Sequence, residues 1–591
     1  MQYPLHPPPS VAPVRIGEPF KLRWPLLRTT QIRTLESAYA GERLENNKFL
    51  GKLPTLMESA GLSLAKLCLA LCPNAEHIWI ACGPGNNGGD GIVAAIELQK
   101  LGKKPYVSFC GKRVEGASDI SAPHQTASRT SSSPPISAPI GDLRAAQLAA
   151  LSHGIELHKV APHYWDFAID ALLGIGIDQK TPRPIEGVMA HWLNLLNTGD
   201  SPVLCVDAPS GLCTDTGQMS AINAQGKDTT VLPPLNLNQK RYTLTFLGLK
   251  PGLFTGAGRD FAGDIWLEPL IEPNTRVDHT ADPVKGFEGV GLTAHLNSEH
   301  PVTFRAHNSH KGTYSDVIIL GGARGMQGAA VLAGTSALHM GAGRVYISLI
   351  HESEVRCRIS PALMTRFAQD ISKLAVESAT VVCGCGGGTE IAQYLSLALE
   401  HSRNLVLDAD ALNAVAKNDE FKALLCGRNA GGLSTVLTPH PLEAARLLGI
   451  TVAKVQANRI QSAEELARLF KCTVVLKGAG SVIAQYTPLG FKTNGKEQIH
   501  LNCDNLESPD GYLHDTQVCI NPTGCALLAT AGTGDVLAGM IGALLAQNAD
   551  PWLSACEGVF IHGLTAQNWN LQDSFDAELL AARVTYPRLR N

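Results

Sequence analysis

This chain lacks an excess of charge of either sign. Its 591 residues carry 49 basic and 53 acidic side chains, a formal net charge of −4. A nucleic-acid coat or a polybasic membrane binder needs surplus Lys and Arg, so neither class fits. Cysteine is also sparse: 15 in 591 residues is too few for a disulfide scaffold. Cys68 and Cys72 form one close pair, Cys383 and Cys385 another. Neither has a matching second pair, which argues against zinc and for reduced thiols. No apolar run suits a membrane span. The most apolar stretch, 526–546, carries Asp535 and four glycines. The Pro-rich start has no apolar core of the kind a secretory signal needs, so a cytoplasmic protein is expected. G-x-x-x-x-G-K-[ST] occurs nowhere, which excludes a Walker-type P-loop.

What the chain has is a large stock of core. Apolar residues make up 45% and charged residues 17%, which excludes a disordered chain, and no collagen-like period is present. Strand and helix signals alternate twice along it, which predicts α/β domains with doubly wound parallel sheets. In the first half a helix is expected over Leu56 to Leu71, a buried strand over His77 to Cys82, and a helix from Asp90 to Leu101. Further strands are expected at Pro105 to Phe109, Phe167 to Leu172, Val203 to Val206 and Thr243 to Phe246. Pro273, Asn274 and Pro283 mark a seam. Beyond it the expected strands are Tyr314 to Leu320, Arg344 to Ile347, Thr380 to Cys383, Asn404 to Leu407, Ser434 to Leu437 and Cys472 to Leu476. Helices are expected over Gln327 to His339, Pro441 to Leu448 and Ala453 to Phe470. The expected division is a loosely ordered extension (1–28), a first domain (29–275) and a second domain (283–591). A Ser/Pro-rich disordered insertion is expected at about 114–140 and a polar one at about 494–514.

Chemistry-bearing motifs sit at the strand ends. Gly83-Pro-Gly85-Asn86-Asn87-Gly88-Gly89-Asp90-Gly91 lies between a strand and a helix, where backbone N–H groups can hold phosphate. A dinucleotide-binding Rossmann site would also need an acidic residue about 20 positions on; Val107-Ser-Phe-Cys110 has none. The alternative is a tight structural turn. Asp170-Ala-Leu-Leu-Gly174 and Asp207-Ala-Pro-Ser-Gly211 each end a strand, and together they suggest an oxygen-lined site for a hard cation and an acid/base carboxylate. In the second half, Asn521-Pro-Thr-Gly524 precedes Gly532-Thr-Gly534-Asp535. Backbone N–H groups there can stabilise a phosphoryl group in transfer, and Asp535 can accept a hydroxyl proton. The bland alternative is an Asp favoured by the helix dipole. Lys477 to Ser481 has the composition of a nucleotide-contacting loop; a lone His is more often structural, but the prolines flanking His440 fix a turn that would aim it at the strand-end crevice. Asp408 and Asp410 stand at another strand end, with helix capping as the alternative.

In the first half, Met57-Glu-Ser-Ala-Gly61, the Asn86 to Gly91 loop, the two Asp motifs and Leu249-Lys-Pro-Gly-Leu-Phe-Thr-Gly256 resemble the epimerase domain of bifunctional NAD(P)H-hydrate repair enzymes. From His310-Lys-Gly312 to Asp535, the second half resembles the dehydratase domain of the same enzymes. The resemblance implies a Rossmann-like three-layer αβα domain followed by a ribokinase-like α/β domain. It implies substrate binding by Asn86, Asn87, Gly88, Gly89 and Asp90, and by the turn Gly174, Ile175, Gly176, Ile177, Asp178, Gln179 and Lys180. A potassium ion is implied at Asn87, Asp170 and Ser210, with Asp207 as acid/base. In the second half it implies substrate contacts at Ala329, Gly386, His440 and Asp535, the last as base. Nucleotide contacts are implied at Lys477, Gly478, Ala479, Gly480, Ser481 and Gly534. The implied reaction is epimerisation of hydrated NADH and NADPH, then ADP- (or ATP-) and Mg2+-dependent dehydration of the S form. A homo-oligomer without nucleic-acid or membrane partners is expected. Two departures stand out: Cys525-Ala-Leu in place of Asn-Pro-Gly, and Cys383-Gly-Cys-Gly-Gly-Gly388 in place of a Gly-Pro-Gly-Leu-Gly type. Residues 230–237 are another, an apolar stretch where a helix and then a strand are expected. The competing assignment is a ribokinase-like small-molecule kinase with a non-catalytic N-terminal binding module.

Overall fold

The computed structural model describes residues 14–16, 24–50, 55–114, 142–176, 184–223, 232–270, 294–300, 305–351, 358–487, 515–548, 550–570 and 572–585. The chain divides into two compact units, one mainly Leu27–Leu253 and the other mainly Val277–Asn591.

The first unit is built on an eight-stranded sheet. Its order is Val14–Ile16, Asp264–Glu268, Arg241–Phe246, Val203–Val206, Phe167–Ala171, His77–Cys82, Lys104–Phe109, Leu157–His158. All neighbours run parallel except the first pair. Apolar runs such as Ile78 to Cys82 are buried because helices cover both faces of a parallel sheet. The helix Leu56–Leu71 starts where expected: the Thr55 hydroxyl accepts from Glu58 N at 2.9 Å, and the Glu58 carboxylate accepts from Thr55 N at 2.6 Å. The chain winds outwards from His77–Cys82 in one direction, then returns to Phe167–Ala171 and winds the other way. A topological switch point therefore lies between these two strands, and ligands bind open α/β sheets at such points.

The second unit holds an eleven-stranded sheet ordered Met364–Phe367, Arg344–Leu349, Asp316–Gly321, Thr380–Cys383, Asn404–Leu407, Ser434–Leu437, Thr473–Leu476, Val482–Tyr486, Thr516–Ile520, Ala294–Leu296, Pro25–Leu26. Strands from Met364 to Leu476 are parallel, whereas Val482–Tyr486 is antiparallel to both neighbours. Its core joins the sheet to the apolar helices Gln327–His339 and Thr533–Asn548.

Several expectations need correction. Within the stretch 1–28, Val14–Ile16 pairs with Asp264–Glu268, and Pro25–Leu26 pairs with Ala294–Leu296. Edge pairing needs only backbone donors and acceptors, which a Pro-rich composition conceals. The helix expected from Ala453 to Phe470 is two, Val452–Ala457 and Arg459–Phe470, because Asn458 caps the second through Gln461 N at 3.1 Å. Residues 232–237 form neither helix nor strand; Pro233 and Pro234 have no N–H to donate. The seam and both insertions lie outside the described residues, save Val114.

Candidate active sites

At the first switch point the glycine motif is tighter than the sequence suggests. The helix starts at Asn86, not Asp90, so Asn86 to Gly89 are its first turn; the Gly89 N–H is spent on Gly85 O at 3.2 Å, which leaves the N–H groups of Asn86, Asn87 and Gly88 as the open helix terminus. Glycine is required at 88, since a Cβ there would lie 2.0 Å from Gly83 O. Three of the expected residues meet below this turn. Asp170 is wholly buried; its Oδ1 accepts from Ser210 Oγ at 2.6 Å and its Oδ2 from Ser210 N at 3.0 Å. Burial pushes its carboxyl above the usual range despite those bonds, and no side-chain cation pairs with it among the described residues. The Asn87 Nδ2 is buried without a hydrogen-bond partner, and a Cβ at Gly174 would lie 3.0 Å from Asn87 Oδ1. A buried carboxylate that the Arg241 guanidinium influences but no side-chain cation contacts among the described residues, together with the Ser210 hydroxyl and the Asn87 Oδ1, offers the oxygen ligands a hard cation takes. Ile175 and Gly176 continue the Gly174 turn; Ile177, Asp178, Gln179 and Lys180 lie outside the described residues. Asn86 also lines an open cavity of about 420 Å³ with Lys112, Arg113, Asp142, Arg144 and Gln147.

Asp207 follows the next strand. Its backbone is left-handed, φ 64°, which few non-glycine residues adopt. Its Oδ1 accepts from Lys250 Nζ, from Phe246 N at 3.0 Å and from Thr245 Oγ1 at 3.4 Å. The carboxyl groups of Glu36 and Asp90 are both raised, by burial first and then by Asp207; for Asp90 the rise is large. Lys250 and Glu36 were not singled out from sequence. Lys250 stood inside the Leu249 to Gly256 motif, but nothing in its spacing marks it as buried. Glu36 sits on the helix Thr29–Leu50 with no local signal at all.

The second unit gathers its motifs at the carboxyl ends of parallel strands. Gly532, φ 89°, opens the helix Thr533–Asn548; a Cβ there would meet Leu332 Cδ1 at 2.8 Å and Ala577 Cβ at 2.9 Å. His562, held neutral because burial lowers it to about 4, donates from Nε2 to Thr533 O at 3.0 Å and fixes this turn. The Lys477 ammonium abuts the same turn, 3.2 Å from where a Gly534 Cβ would stand. Asp408 settles the capping question: its side chain makes no bond to its helix. Its Oδ1 instead accepts from Lys477 Nζ at 2.6 Å and Thr438 Oγ1 at 2.8 Å. Oxygens of Asp408 and Asp535 and the Cys385 Sγ lie within 4.8 Å of one another. Burial first, then the charge of Asp408, raises Asp535 to about 6.

The remaining expected residues divide. Ala329 and Gly386 adjoin, since a Cβ on Gly386 would lie 2.9 Å from Ala329 Cβ. Gly478 to Ser481 follow Lys477 as a turn, with Gly478 and Gly480 at positive φ. His440 carries a structural duty. Its Nδ1 accepts from Leu442 N at 3.1 Å and Glu443 N at 3.3 Å, so it caps the helix Pro441–Leu448. With Nδ1 accepting, the proton of the neutral ring sits on Nε2, 3.3 Å from Glu443 Oε1.

Comparison with known proteins agrees with this geometry. Residues 54–252 match the model for the YjeF-related protein N-terminus, and residues 317–498 and 512–586 match that for NAD(P)H-hydrate dehydratase. The chain is 31% identical over 528 residues to the bifunctional NAD(P)H-hydrate repair enzyme Nnr of Escherichia coli K12, covering 86% of this chain and 84% of that protein. It is 38% identical over 299 residues to the ADP-dependent (S)-NAD(P)H-hydrate dehydratase of Neisseria meningitidis, covering 50% of this chain and 90% of that one. Among solved structures, the ADP/ATP-dependent NAD(P)H-hydrate dehydratase of Bacillus subtilis is 27% identical, spanning 48% of this chain and 96% of that chain with a TM-score of 0.35. With both halves matched in order and most of its length aligned, the chain belongs to the family of bifunctional NAD(P)H-hydrate repair enzymes, its first half the epimerase domain and its second the ADP-dependent dehydratase domain.

Proposed function

We propose that the two sites act in sequence on nicotinamide coenzymes that have added water across the 5,6 double bond. In the hydrate, C6 bears both a hydroxyl and N1. Asp207 takes the hydroxyl proton, the C6–N1 bond opens to an aldehyde, and its electron pair and the proton end on N1. Reclosure on the opposite face, with the proton returned to oxygen, inverts C6. Asn86, Asn87 and Gly88 present the open helix N–H groups to the substrate's phosphates, and the Gly174 turn borders Asn87. Potassium fits the oxygens of the Asn87, Asp170 and Ser210 set around a buried carboxylate that no side-chain cation contacts among the described residues, where it would supply a balancing charge.

In the second site Asp535 accepts the C6 hydroxyl proton as that oxygen attacks the terminal phosphoryl group of ADP. The Gly532 to Gly534 turn and Lys477 stabilise the transferring group, and AMP leaves. Phosphate then departs from C6 with the electron pair of the C6–O bond, a proton leaves C5, and the double bond returns. Phosphorylation matters because hydroxide is a poor leaving group. Mg2+ belongs with the nucleotide phosphates. The Cys385, Asp408 and Asp535 set does not suit it, as a buried thiol is a soft ligand and Asp408 is already paired with Lys477. Ala329, Gly386 and the exposed Nε2 edge of His440 line the hydrate side; Gly478, Ala479, Gly480 and Ser481 serve the nucleotide.

The observation that carries this function is Asp535, a carboxylate raised to about 6 beside a glycine turn and a lysine. Chemically hydrated NADH, ADP and Mg2+ should regain dihydronicotinamide absorbance with the protein and release AMP and free phosphate. A phosphorylated product accumulating without free phosphate would favour the small-molecule kinase instead. Asp207→Asn should abolish interconversion of the R and S hydrates while leaving dehydration of the S form.

A further inference from the structure

Lys250 is wholly buried and its ammonium touches no solvent. An ammonium has three protons to donate. Here one goes to Asp207 Oδ1, one to Thr245 Oγ1 at 2.8 Å and one to Phe246 O at 2.7 Å. None is left for a ligand, so Lys250 can act on a substrate only through Asp207. On Asp207 every hydrogen bond falls on the same oxygen: Lys250, Phe246 N and Thr245 all donate to Oδ1. Among the described residues nothing donates to Oδ2, and the side chain is 12% exposed. The left-handed backbone at Asp207 shows that this orientation is held against local preference, as happens at functional sites.

The charges around the pair sharpen the point. Glu36 approaches from the helix Thr29–Leu50 and Asp90 from the helix Asn86–Lys100. The ammonium of Lys250 acts on Glu36 as well as on Asp207, but among the described residues only Asp207 pairs with it. Glu36 and Asp90, the two acids that do not touch the ammonium, both hold their protons more tightly than usual, by burial first and the charge of Asp207 second.

We propose that Lys250 is a positioning residue of the epimerase half, selecting Asp207 over Glu36 and Asp90 as the base and leaving Oδ2 as the one oxygen that exchanges a proton with the hydrate. This rests on the epimerase function proposed above. The lysine orients the base, neutralises it and occupies its second oxygen, so that proton transfer has a single address.

The full-length protein tests this through interconversion of purified R and S hydrates, followed across pH for wild type, Lys250→Met, Thr245→Val and Asp207→Asn, with near-ultraviolet circular dichroism reporting the fold. Lys250→Met should lower kcat by about 100-fold with KM little changed, the scale of a misplaced general base. Its acid limb should move to higher pH, because losing a neighbouring cation raises a carboxyl's affinity for protons. Thr245→Val should move the limb the same way by less, and it decides the matter if Lys250→Met does not fold. A uniform loss of rate with the acid limb unmoved in the folded variants would overturn the proposal. Full activity in Asp207→Asn would instead remove the base itself, a failure of the underlying function and not of the lysine's role.

Discussion

Replacing Asp408 with Asn tests how Asp535, the proposed dehydratase base, is tuned. Asp408 and Asp535 lie within 4.8 Å, and the charge of Asp408 helps to raise Asp535 to about 6. Two unit charges 4.8 Å apart interact by about 3.5 kcal/mol at an effective dielectric near 20. The Lys477 ammonium, 2.6 Å from Asp408 Oδ1, offsets much of this. A net effect of roughly 1.4 kcal/mol remains, which is about one pH unit. The sign follows from the role. A base must be ionised, so wild-type dehydration should fall as pH drops through about 6. In Asp408→Asn the repulsion is gone and Lys477 is free to favour the charged form, so the acid limb should move down by about one unit. At neutral pH kcat should drop by roughly 10- to 100-fold, because the ammonium beside the Gly534 turn has lost its anchor. The assay is recovery of dihydronicotinamide absorbance from the S hydrate with ADP and Mg2+ over a pH series. An acid limb that moves up, or stays, would refute this account of Asp535.

Other changes have equally definite outcomes. Gly532→Ala places a Cβ against Leu332 and Ala577 at positive φ; it should lose dehydration and about 1–3 kcal/mol of stability in thermal melts. Exchanging potassium for lithium should slow R–S interconversion reversibly, and Asp170→Asn should abolish the potassium dependence; measurement in each salt decides. Burial raises Glu443 to about 7, so its folded-state charge is a burden that grows as pH rises from its unfolded value through 7. Glu443→Gln keeps an acceptor for His440 N and should therefore melt higher than wild type above pH 7, with the gap closing in acid.

Much of the fold was legible because buried parallel strands write themselves as short apolar runs. Val203–Val206, Thr380–Cys383, Asn404–Leu407 and Ser434–Leu437 all begin and end where the sequence places them. The strands that escaped notice are edge or antiparallel ones. Val14–Ile16, Asp264–Glu268 and Val482–Tyr486 alternate or pair at a rim, and backbone pairing leaves little trace in composition. Site legibility followed the same division. Asp170 lies near the end of a strand, and Asn87 and Asp535 stand beside glycines in the first turns of helices, so local sequence marks them. Lys250, Glu36 and Asp408 acquire their roles from partners 43, 171 and 69 positions away.

By itself, the sequence determined two α/β units, the glycine turns at helix starts, and the carboxylates Asp170 and Asp207 at strand ends. Only the tertiary structure decided which charge stands beside each carboxylate: Lys250 at Asp207, Lys477 at Asp408, and a second acid at Asp535. Proton affinity is set by desolvation and neighbouring charge in three dimensions, and neither quantity is written in residue order.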